Sequence, residues 1–154
     1  MLYFFEEENK TVTVTSDRYV EMLRNYVKPK LTELQNQDVW FQQDGASAHT
    51  AKKSMDVLRE LFPGQLISLR GDVGWPARSP DLAPCDFFLW GYLKANVYKH
   101  RPKTIEQLKS AICQEIDAIP PEMTGRVMCN FRNRLQMCVA NDGRHLNDII
   151  FKTA

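Results

Sequence analysis

Two short apolar segments separated by an amphipathic stretch constrain the fold of this chain more than any other feature. The segments are "VWFQQ" at 39–43 and "QLISL" at 65–69, each of a length typical of a buried strand. Between them, Ala51, Met55 and Leu58 recur with helical spacing, and a "PG" pair ends the pattern. A strand, a helix and a second strand in this order are typical of a parallel pair joined by a helix. We therefore predict an α/β fold with at least part of its sheet parallel.

The segments before this unit continue the α/β pattern. Residues 2–5 ("LYFF") and 11–15 ("TVTVT") are rich in aromatic and β-branched side chains, which predicts two strands of a hairpin. Apolar residues then recur with helical spacing from Ser16 to about Leu34. Because Pro29 falls inside this stretch, the helix is expected to kink or restart there.

The second half of the chain predicts three helices after a loop rich in Gly and Pro. Pro84 suits the first turn of the helix "CDFFLWGYLKANVY". Thr104 and Gln107 have the spacing of a capping box, and the last helix is predicted to end near Ala140, where "NDG" provides a turn. The aromatic side chains that flank the predicted elements are expected to fill the core. They are Trp40, Phe41, Phe87, Phe88 and Trp90.

Composition limits the classes of function. The 154 residues are 44% hydrophobic and 25% charged, which is typical of a single globular domain. The formal net charge is only +1, so any contact with nucleic acid must come from local basic patches. The cysteines form no C-x-x-C pair, which favours reduced thiols in a cytosolic or nuclear protein. No apolar run is long enough to span a membrane.

An acidic residue, Asp44, ends the first of the two central strands. Its default interpretation is a turn residue, since an aspartate can hydrogen-bond its own backbone two residues further on. In parallel sheets, however, functional groups gather at the carboxyl ends of the strands. Asp72, Asp81 and Asp86 are candidate partners. Asp72 is most simply a turn residue, and Asp81 a helix cap or a residue that fixes the loop. The interaction with the helix dipole, which stabilises a carboxylate in the first turn by up to about 1 kcal/mol, is enough to explain Asp86.

Two longer motifs, "WFQQDGASAHTA" and "WPARSPDLAPCDFFLWGYLK", resemble the catalytic domain of mariner-type transposases of the Tc/mariner superfamily. The resemblance continues through "YFFE", the first helix, "VYKHRPKTIEQLKSAI" and the last helix, so it spans nearly the whole chain. It implies the ribonuclease H-like fold of the DD(E/D) superfamily, a mixed sheet flanked by helices. In that family the aspartate of "QDGA..H" and the last acidic residue of "SPDLAPCD" are catalytic. These are Asp44 and Asp86 here.

The resemblance also implies a chemistry, the hydrolysis of a DNA phosphodiester followed by joining of the freed 3′ hydroxyl to target DNA. Asp44 and Asp86 would then be ligands of Mg²⁺ or Mn²⁺. Hard cations prefer oxygen ligands, and Mg²⁺ takes one or two carboxylates while keeping several waters. Two such ions about 3.5–4 Å apart can activate the attacking oxygen and stabilise the leaving one.

Further residues are candidates for supporting roles. His49 either hydrogen-bonds a carboxylate or a DNA phosphate, or caps and packs the start of the next helix. Asp81 is a second supporting candidate. Arg78 either contacts a phosphate or fixes its loop through an ion pair. DNA contacts are predicted from local lysines and arginines, which neutralise phosphates without reading sequence. The candidates are Lys52, Lys53, Lys94, Lys99, Arg101 and Lys103.

These basic residues allow simpler interpretations too. The segment "KHRPK" can equally be an exposed linker, whereas Lys52 and Lys53 follow Asp44 closely, at the start of the next predicted helix, which favours contact with DNA. The arginines of the last helix are expected to form its solvated face. They are Arg126, Arg132 and Arg134.

The resemblance predicts that residues 1–154 form a partial catalytic domain. The family's first catalytic aspartate precedes the region that matches "YFFE". The first strands, that carboxylate and the N-terminal helix-turn-helix region are therefore expected to be absent from this chain. Two functions are therefore possible. The first is a transposase-derived endonuclease and strand-transfer domain that is incomplete in this chain, and the second is an inactive DNA-binding or protein-interaction remnant. Whether the chain is an enzyme stays open. DNA is the implied partner, a homodimer is a further option, and the nucleus is the implied location.

Overall fold

The structure is a computed structural model that describes residues 2–8, 10–34, 38–76, 79–144 and 146. The chain divides into two compact units, residues 1–78 and 79–154. All strands in the described ranges lie in the first unit, and the second unit is helical there.

The first unit begins with the predicted hairpin. β1 (Glu6–Glu7) pairs antiparallel with β2 (Lys10–Thr11), and the Val12 amide donates to the Phe5 carbonyl at 3.1 Å. The paired residues lie closer to the hairpin turn than the strands predicted at 2–5 and 11–15. The hairpin forms a sheet of its own, separate from the parallel sheet that follows.

A continuous helical stretch follows the hairpin. It consists of α1 (Ser16–Met22), a π-helical segment (Leu23–Val27) and α2 (Lys28–Leu34). Pro29 has no amide proton for the helix, and its ring crowds the preceding turn. The wider π-helical turn directly before it accommodates this crowding, so the distortion expected at Pro29 occurs without a break in the helix.

The second sheet is parallel, with the strand order β3 (Phe41–Gln42), β4 (Leu66–Ser68) and β5 (Val73–Gly74). Between β3 and β4 the chain forms α3 (Ser47–Thr50) and α4 (Lys52–Leu61). The predicted strand–helix–strand unit is thus confirmed. The sequence does not predict β5, because two residues in a glycine-rich loop carry no periodic signal.

The core of the first unit lies between its helices and β4. Leu23, Leu58 and Leu66 are fully buried, and the rings of Phe41 and Phe62 stack with their centroids 4.8 Å apart. Trp40 is 51% exposed, so its predicted place in the core is wrong. Neighbouring residues of an extended chain point to opposite faces, and Phe41 is the one that packs against the core.

A tight loop joins β4 to β5. The Asp72 Oδ2 accepts a hydrogen bond from the Leu66 amide at 3.1 Å, and the Trp75 amide donates to the Ser68 carbonyl at 2.9 Å. At Gly71, a Cβ atom would lie 2.4 Å from the Leu66 carbonyl oxygen. The loop can therefore fold back against β4 only with glycine at 71, and Asp72 has the turn role predicted for it.

The second unit contains the three predicted helices. Its elements are a π-helical segment (Cys85–Leu89), α5 (Trp90–Val97), a 3₁₀ turn (Tyr98–His100), α6 (Ile105–Asp117) and α7 (Pro121–Ala140). The helices α5 and α6 pack against each other through the buried Leu93, Val97 and Ala111. Trp90 is 56% exposed, so this aromatic side chain does not fill the core as predicted, whereas Phe87 and Phe88 are half-buried.

The ends of α6 and α7 follow the predicted capping. The Thr104 Oγ1 accepts from the Gln107 amide at 3.2 Å, while the Gln107 side chain accepts from the Lys103 amide, one residue before the usual capping-box partner. At the end of α7, the Gly143 amide donates to the Cys138 carbonyl at 2.9 Å, the bond of a Schellman turn. Within the described ranges, no helix is long and apolar enough to cross a membrane.

Substituting Gly71 by alanine is expected to lower the free energy of unfolding by about 1–3 kcal/mol, the usual cost of forcing an atom into a packed site. The added Cβ would collide with the Leu66 carbonyl. The matched control is Gly74→Ala, because no heavy atom of the described chain lies within 4 Å of a Cβ at that position. Urea unfolding of both variants measures the difference, and equal midpoints would contradict the close approach at Gly71.

Candidate active site

Asp44 stands two residues after β3, at the carboxyl end of the parallel sheet. Its Oδ1 accepts a hydrogen bond from the Ala46 amide at 3.0 Å, as the turn interpretation predicts, and lies 2.5 Å from His49 Nδ1. None of the described residues hydrogen-bonds to Oδ2, and the side chain is 64% exposed. One carboxylate oxygen is therefore held by the protein while the other is open.

The contacts of Asp44 keep it ionised. Partial burial raises the pKa of Asp44, but the hydrogen bonds from the Ala46 amide and the His49 ring outweigh burial and hold the pKa below its ordinary value. At neutral pH the side chain is consequently a carboxylate, the form that a cation binds.

Gln43, the buried neighbour of Asp44, fixes the end of β3. Its Oε1 accepts from the Tyr19 hydroxyl at 2.8 Å, and its Nε2 donates to Ser68 Oγ at 3.0 Å and to the His49 carbonyl at 3.2 Å. Burial, and then the charge of Asp44, raise the pKa of Tyr19, so that its hydroxyl stays a donor. The sequence does not predict these two roles. A glutamine at the buried end of an apolar strand is the only signal for Gln43, and Tyr19 has none.

His49 lies between Tyr19 and Asp44. Its ring centroid is 4.5 Å from that of Tyr19, and its side chain is only 26% exposed. Ser54 Oγ donates to the Ala48 carbonyl at 2.6 Å and so ties the short helix of His49 to α4. The contact with a carboxylate that was considered for His49 is therefore present, and the ring also packs against Tyr19 at the start of the helical region. Contact of His49 with a DNA phosphate stays a prediction.

The second candidate carboxylate, Asp86, lies in the other compact unit. It is an exposed residue of the π-helical segment Cys85–Leu89, and its amide donates to the Ala83 carbonyl at 2.9 Å. Convergence of Asp44 and Asp86 on shared metal ions stays a prediction.

Asp81 and Arg134 are buried together near the start of this unit, each 5% exposed. The Asp81 Oδ2 accepts from the Leu146 amide at 3.2 Å, and its carbonyl accepts from Arg134 Nη1 at 3.1 Å. Asp81 thus has the loop-fixing role considered for it. The expected solvated position of Arg134 is wrong, because this arginine lies on the inward face of α7, whereas Arg126 and Arg132 are exposed.

The remaining candidates differ in their surroundings. Lys53 Nζ lies 2.5 Å from the Asp17 Oδ1 on α1, and Lys99 Nζ donates to Asn96 Oδ1 at 2.8 Å. Arg78 lies outside the described residues. The other basic candidates are exposed, and their contact with DNA stays a prediction. They are Lys52, Lys94, Arg101 and Lys103.

A divalent cation fits the chemistry of Asp44, because its open oxygen belongs to an exposed, ionised carboxylate and is a hard ligand. In the part of the chain that the structure describes, no three His, Cys, Asp or Glu side chains are grouped to hold a metal ion. Mg²⁺ needs only one or two carboxylates, since waters complete its coordination.

The chain is similar in sequence to several transposases, although no family model matches it. It is 29% identical to the Tc3 transposase of Caenorhabditis elegans over 136 residues, which is 87% of this chain and 39% of the relative. It is also 29% identical to the mariner Mos1 transposase of Drosophila mauritiana over 148 residues, or 93% of this chain and 41% of the relative. The chain therefore spans about two fifths of the length of these relatives.

The solved structures that it resembles include several of the Mos1 transposase catalytic domain. That domain matches with a TM-score of 0.71 and 28% identity, over 88% of this chain and 65% of the other. The structure of the same domain with raltegravir and Mn matches with a TM-score of 0.73 and 27% identity, over 90% of this chain and 68% of the other. A further structure of the domain with raltegravir contains Mg. The predicted resemblance to mariner-type transposases and the ribonuclease H-like fold are confirmed.

Substituting His49 by alanine is expected to raise the pKa of Asp44 toward its ordinary value, since a hydrogen bond that favours the carboxylate is lost. Carboxyl ¹³C chemical shifts followed across acidic pH measure this change. The matched control is His100→Ala, which removes a second imidazole–carboxylate contact among the described residues, His100 Nε2 to Glu115 Oε1 at 2.8 Å. An unchanged Asp44 titration in His49→Ala would contradict the contact.

The same contact makes stability depend on pH. Because the folded-state pKa of Asp44 is lowered, its stabilising effect is complete above the ordinary pKa and is lost as the pH falls through the folded value. The destabilisation caused by His49→Ala is therefore expected to be larger at neutral pH than in acid, as measured by urea unfolding.

Proposed function

We propose that this chain carries two metal-binding carboxylates of a transposase-derived DNA endonuclease and strand-transfer domain, Asp44 and Asp86. The observation that carries the proposal is the geometry of Asp44. An ionised carboxylate with one held oxygen and one open oxygen stands at the carboxyl end of a parallel sheet. The similarity to the Mos1 catalytic domain, which has been solved with Mn and with Mg, supports the same reading.

Bound Mg²⁺ or Mn²⁺ would supply activation of the attacking oxygen and stabilisation of the leaving oxygen in an in-line displacement at phosphorus. The chain's own residues prepare the ligand. Ala46 and His49 hold one oxygen of Asp44, which fixes the orientation of the carboxylate. Gln43 anchors the strand end to Tyr19 and Ser68, so that this orientation is set by buried contacts.

Asp86 is the proposed second ligand, and it stands in the opening turn of a helical segment. There the N-terminal end of the helix dipole carries partial positive charge, which favours a carboxylate. The proposed substrates are transposon ends and target DNA. A second copy of the chain is a proposed partner, and the nucleus is the proposed location because the substrate is found there.

Wild-type protein is expected to nick supercoiled DNA in the presence of Mn²⁺, and Asp44→Asn and Asp86→Asn are each expected to slow nicking about 10–100-fold or more. An asparagine at 44 can still accept the bonds from Ala46 and His49, but it has lost the charge that a cation needs. Gel separation of nicked and supercoiled plasmid measures the rate. The control is Asp117→Asn, an exposed carboxylate at the end of α6.

The outcomes distinguish the candidate functions. Equal nicking by wild type and both aspartate variants would indicate a contaminating nuclease, and the enzyme proposal would fail for this chain. Absence of nicking in every sample, together with retained DNA binding, would favour the second candidate, an inactive DNA-binding remnant.

DNA binding is expected to depend on salt, and Lys52→Ala is expected to reduce the slope of log K against log [salt] by about 0.9, the value for one phosphate contact. Lys53→Ala is expected to change the slope less, because Lys53 is paired with Asp17. Fluorescence anisotropy with duplex DNA at several salt concentrations measures the slopes. The control is Lys30→Ala, whose Nζ lies 2.6 Å from Glu33 Oε2, and an equal effect at 30 and 52 would argue against a specific role of Lys52.

A further inference from the structure

Arg134 lies almost completely buried beneath the loop that leads to Asp86. It is only 5% exposed, and arginine is rarely buried to this extent without specific partners. Its Nη1 donates to the Asp81 carbonyl at 3.1 Å, and its guanidinium carbon lies 4.5 Å from the centroid of the Phe87 ring. One side chain of α7 thus contacts both the loop 79–84 and the helical turn that follows it.

These two contacts flank Asp86 in the chain. Neighbouring residues of a regular helical turn project at a fixed angle to each other around the axis, so clamping the ring of Phe87 also fixes the direction of Asp86. The loop before the turn is held from the same guanidinium through the Asp81 carbonyl. Its own bonds, such as Leu82 amide to Ser79 carbonyl at 3.0 Å, make it compact enough to transmit that restraint.

The chemistry of the guanidinium suits this double contact. A planar guanidinium can stack on an aromatic face while its N–H groups donate in its own plane, which an ammonium cannot do in the same geometry. Among the described residues, Nε of Arg134 has no hydrogen-bond partner. A buried guanidinium carries a desolvation cost that an apolar side chain of similar volume avoids. Its contacts with the loop and with Phe87 are therefore the feature that distinguishes arginine from an apolar residue here.

We propose that Arg134 is a positioning residue for Asp86. By holding the Asp81 carbonyl and the Phe87 ring, it restricts the first turn of the segment Cys85–Leu89 so that Asp86 is presented to a divalent cation in one orientation. The proposal rests on the proposed function, in which Asp86 is a metal ligand.

The test compares Arg134→Met and Arg134→Lys with the control Arg132→Met. Methionine keeps much of the length of arginine but has neither charge nor donor, lysine keeps the charge without the planar group, and Arg132 is exposed on the same helix. The first measurement needs no metal. In Arg134→Met, the backbone order parameters of Asp86 and Phe87 are expected to fall from about 0.85 toward 0.6, with α5 to α7 unchanged. Arg134→Lys is expected to lose part of this order, and Arg132→Met none.

The second measurement is the affinity for Mn²⁺, followed by paramagnetic broadening of the Asp86 amide signal. Arg134→Met is expected to weaken binding about tenfold, the usual size of the effect when a partner that orients a metal ligand is lost. Arg134→Lys is expected to recover part of the affinity, and Arg132→Met to bind as wild type does.

Unchanged order parameters at Asp86 in a folded Arg134→Met protein would overturn the proposal. Lower order parameters throughout α5 to α7 would overturn it too, because they would indicate a purely structural role of Arg134. If Arg134→Met is unfolded at the temperature of the measurement, the test rests on Arg134→Lys. Order parameters and Mn²⁺ affinity equal to those of wild type in Arg134→Lys would then contradict the proposal. If wild type and Asp86→Asn bind Mn²⁺ equally, the proposed metal role of Asp86 fails, whereas the order parameters still report on the clamp.

Discussion

The buried side chain of Gln43 is the interaction on which the candidate site depends. Its amide joins the Tyr19 hydroxyl, Ser68 Oγ and the His49 carbonyl, so a helix, two strand ends and a connecting turn meet at one group. A buried amide is unfavourable unless its donors and acceptors are satisfied, and this requirement selects a single arrangement of the three partners. Asp44 follows Gln43 in the chain, and its orientation is a consequence of that arrangement.

Each proposed ligand is supported by a buried polar cluster in its own compact unit. Asp44 depends on Gln43 and its partners, while Asp86 adjoins the contacts of Arg134 with Asp81 and Phe87. The two clusters use the same principle. In each cluster a buried polar side chain contacts partners in fixed positions, because its loss of hydration must be compensated. These contacts also restrict the orientation of the neighbouring carboxylate, which itself stays exposed. An ionised ligand can in this way be oriented at the surface, where a hydrated cation can reach it.

The sequence predicts those parts of the structure that repeat or that end in recognisable caps. The strand–helix–strand unit, the cap at Thr104 and the end of α7 near Ala140 follow from periodicity and local hydrogen bonding. The strand β5, the exposure of Trp40 and the burial of Arg134 do not, because each depends on contacts distant in sequence. At the site, the motif predicted Asp44 and its neighbour His49, whereas the role of Tyr19 arises only when α1 packs against α3 and α4 and brings its hydroxyl to Gln43.

The π-helical segments have a consequence for how this chain tolerates change in length. A π-helical turn contains an additional residue compared with an α-helical turn, and the Trp90 amide accordingly donates to the carbonyl of Cys85. Deleting one residue inside Cys85–Leu89 would let the turn close as an ordinary α-helix. Because the wide turn already holds the additional residue within one turn, the residues before it would keep nearly the same direction relative to α5. A one-residue deletion inside α5 would instead rotate everything before it by about 100°. The π-helical segment is therefore the place where this helix can lose a residue while the loop before it stays directed at Arg134.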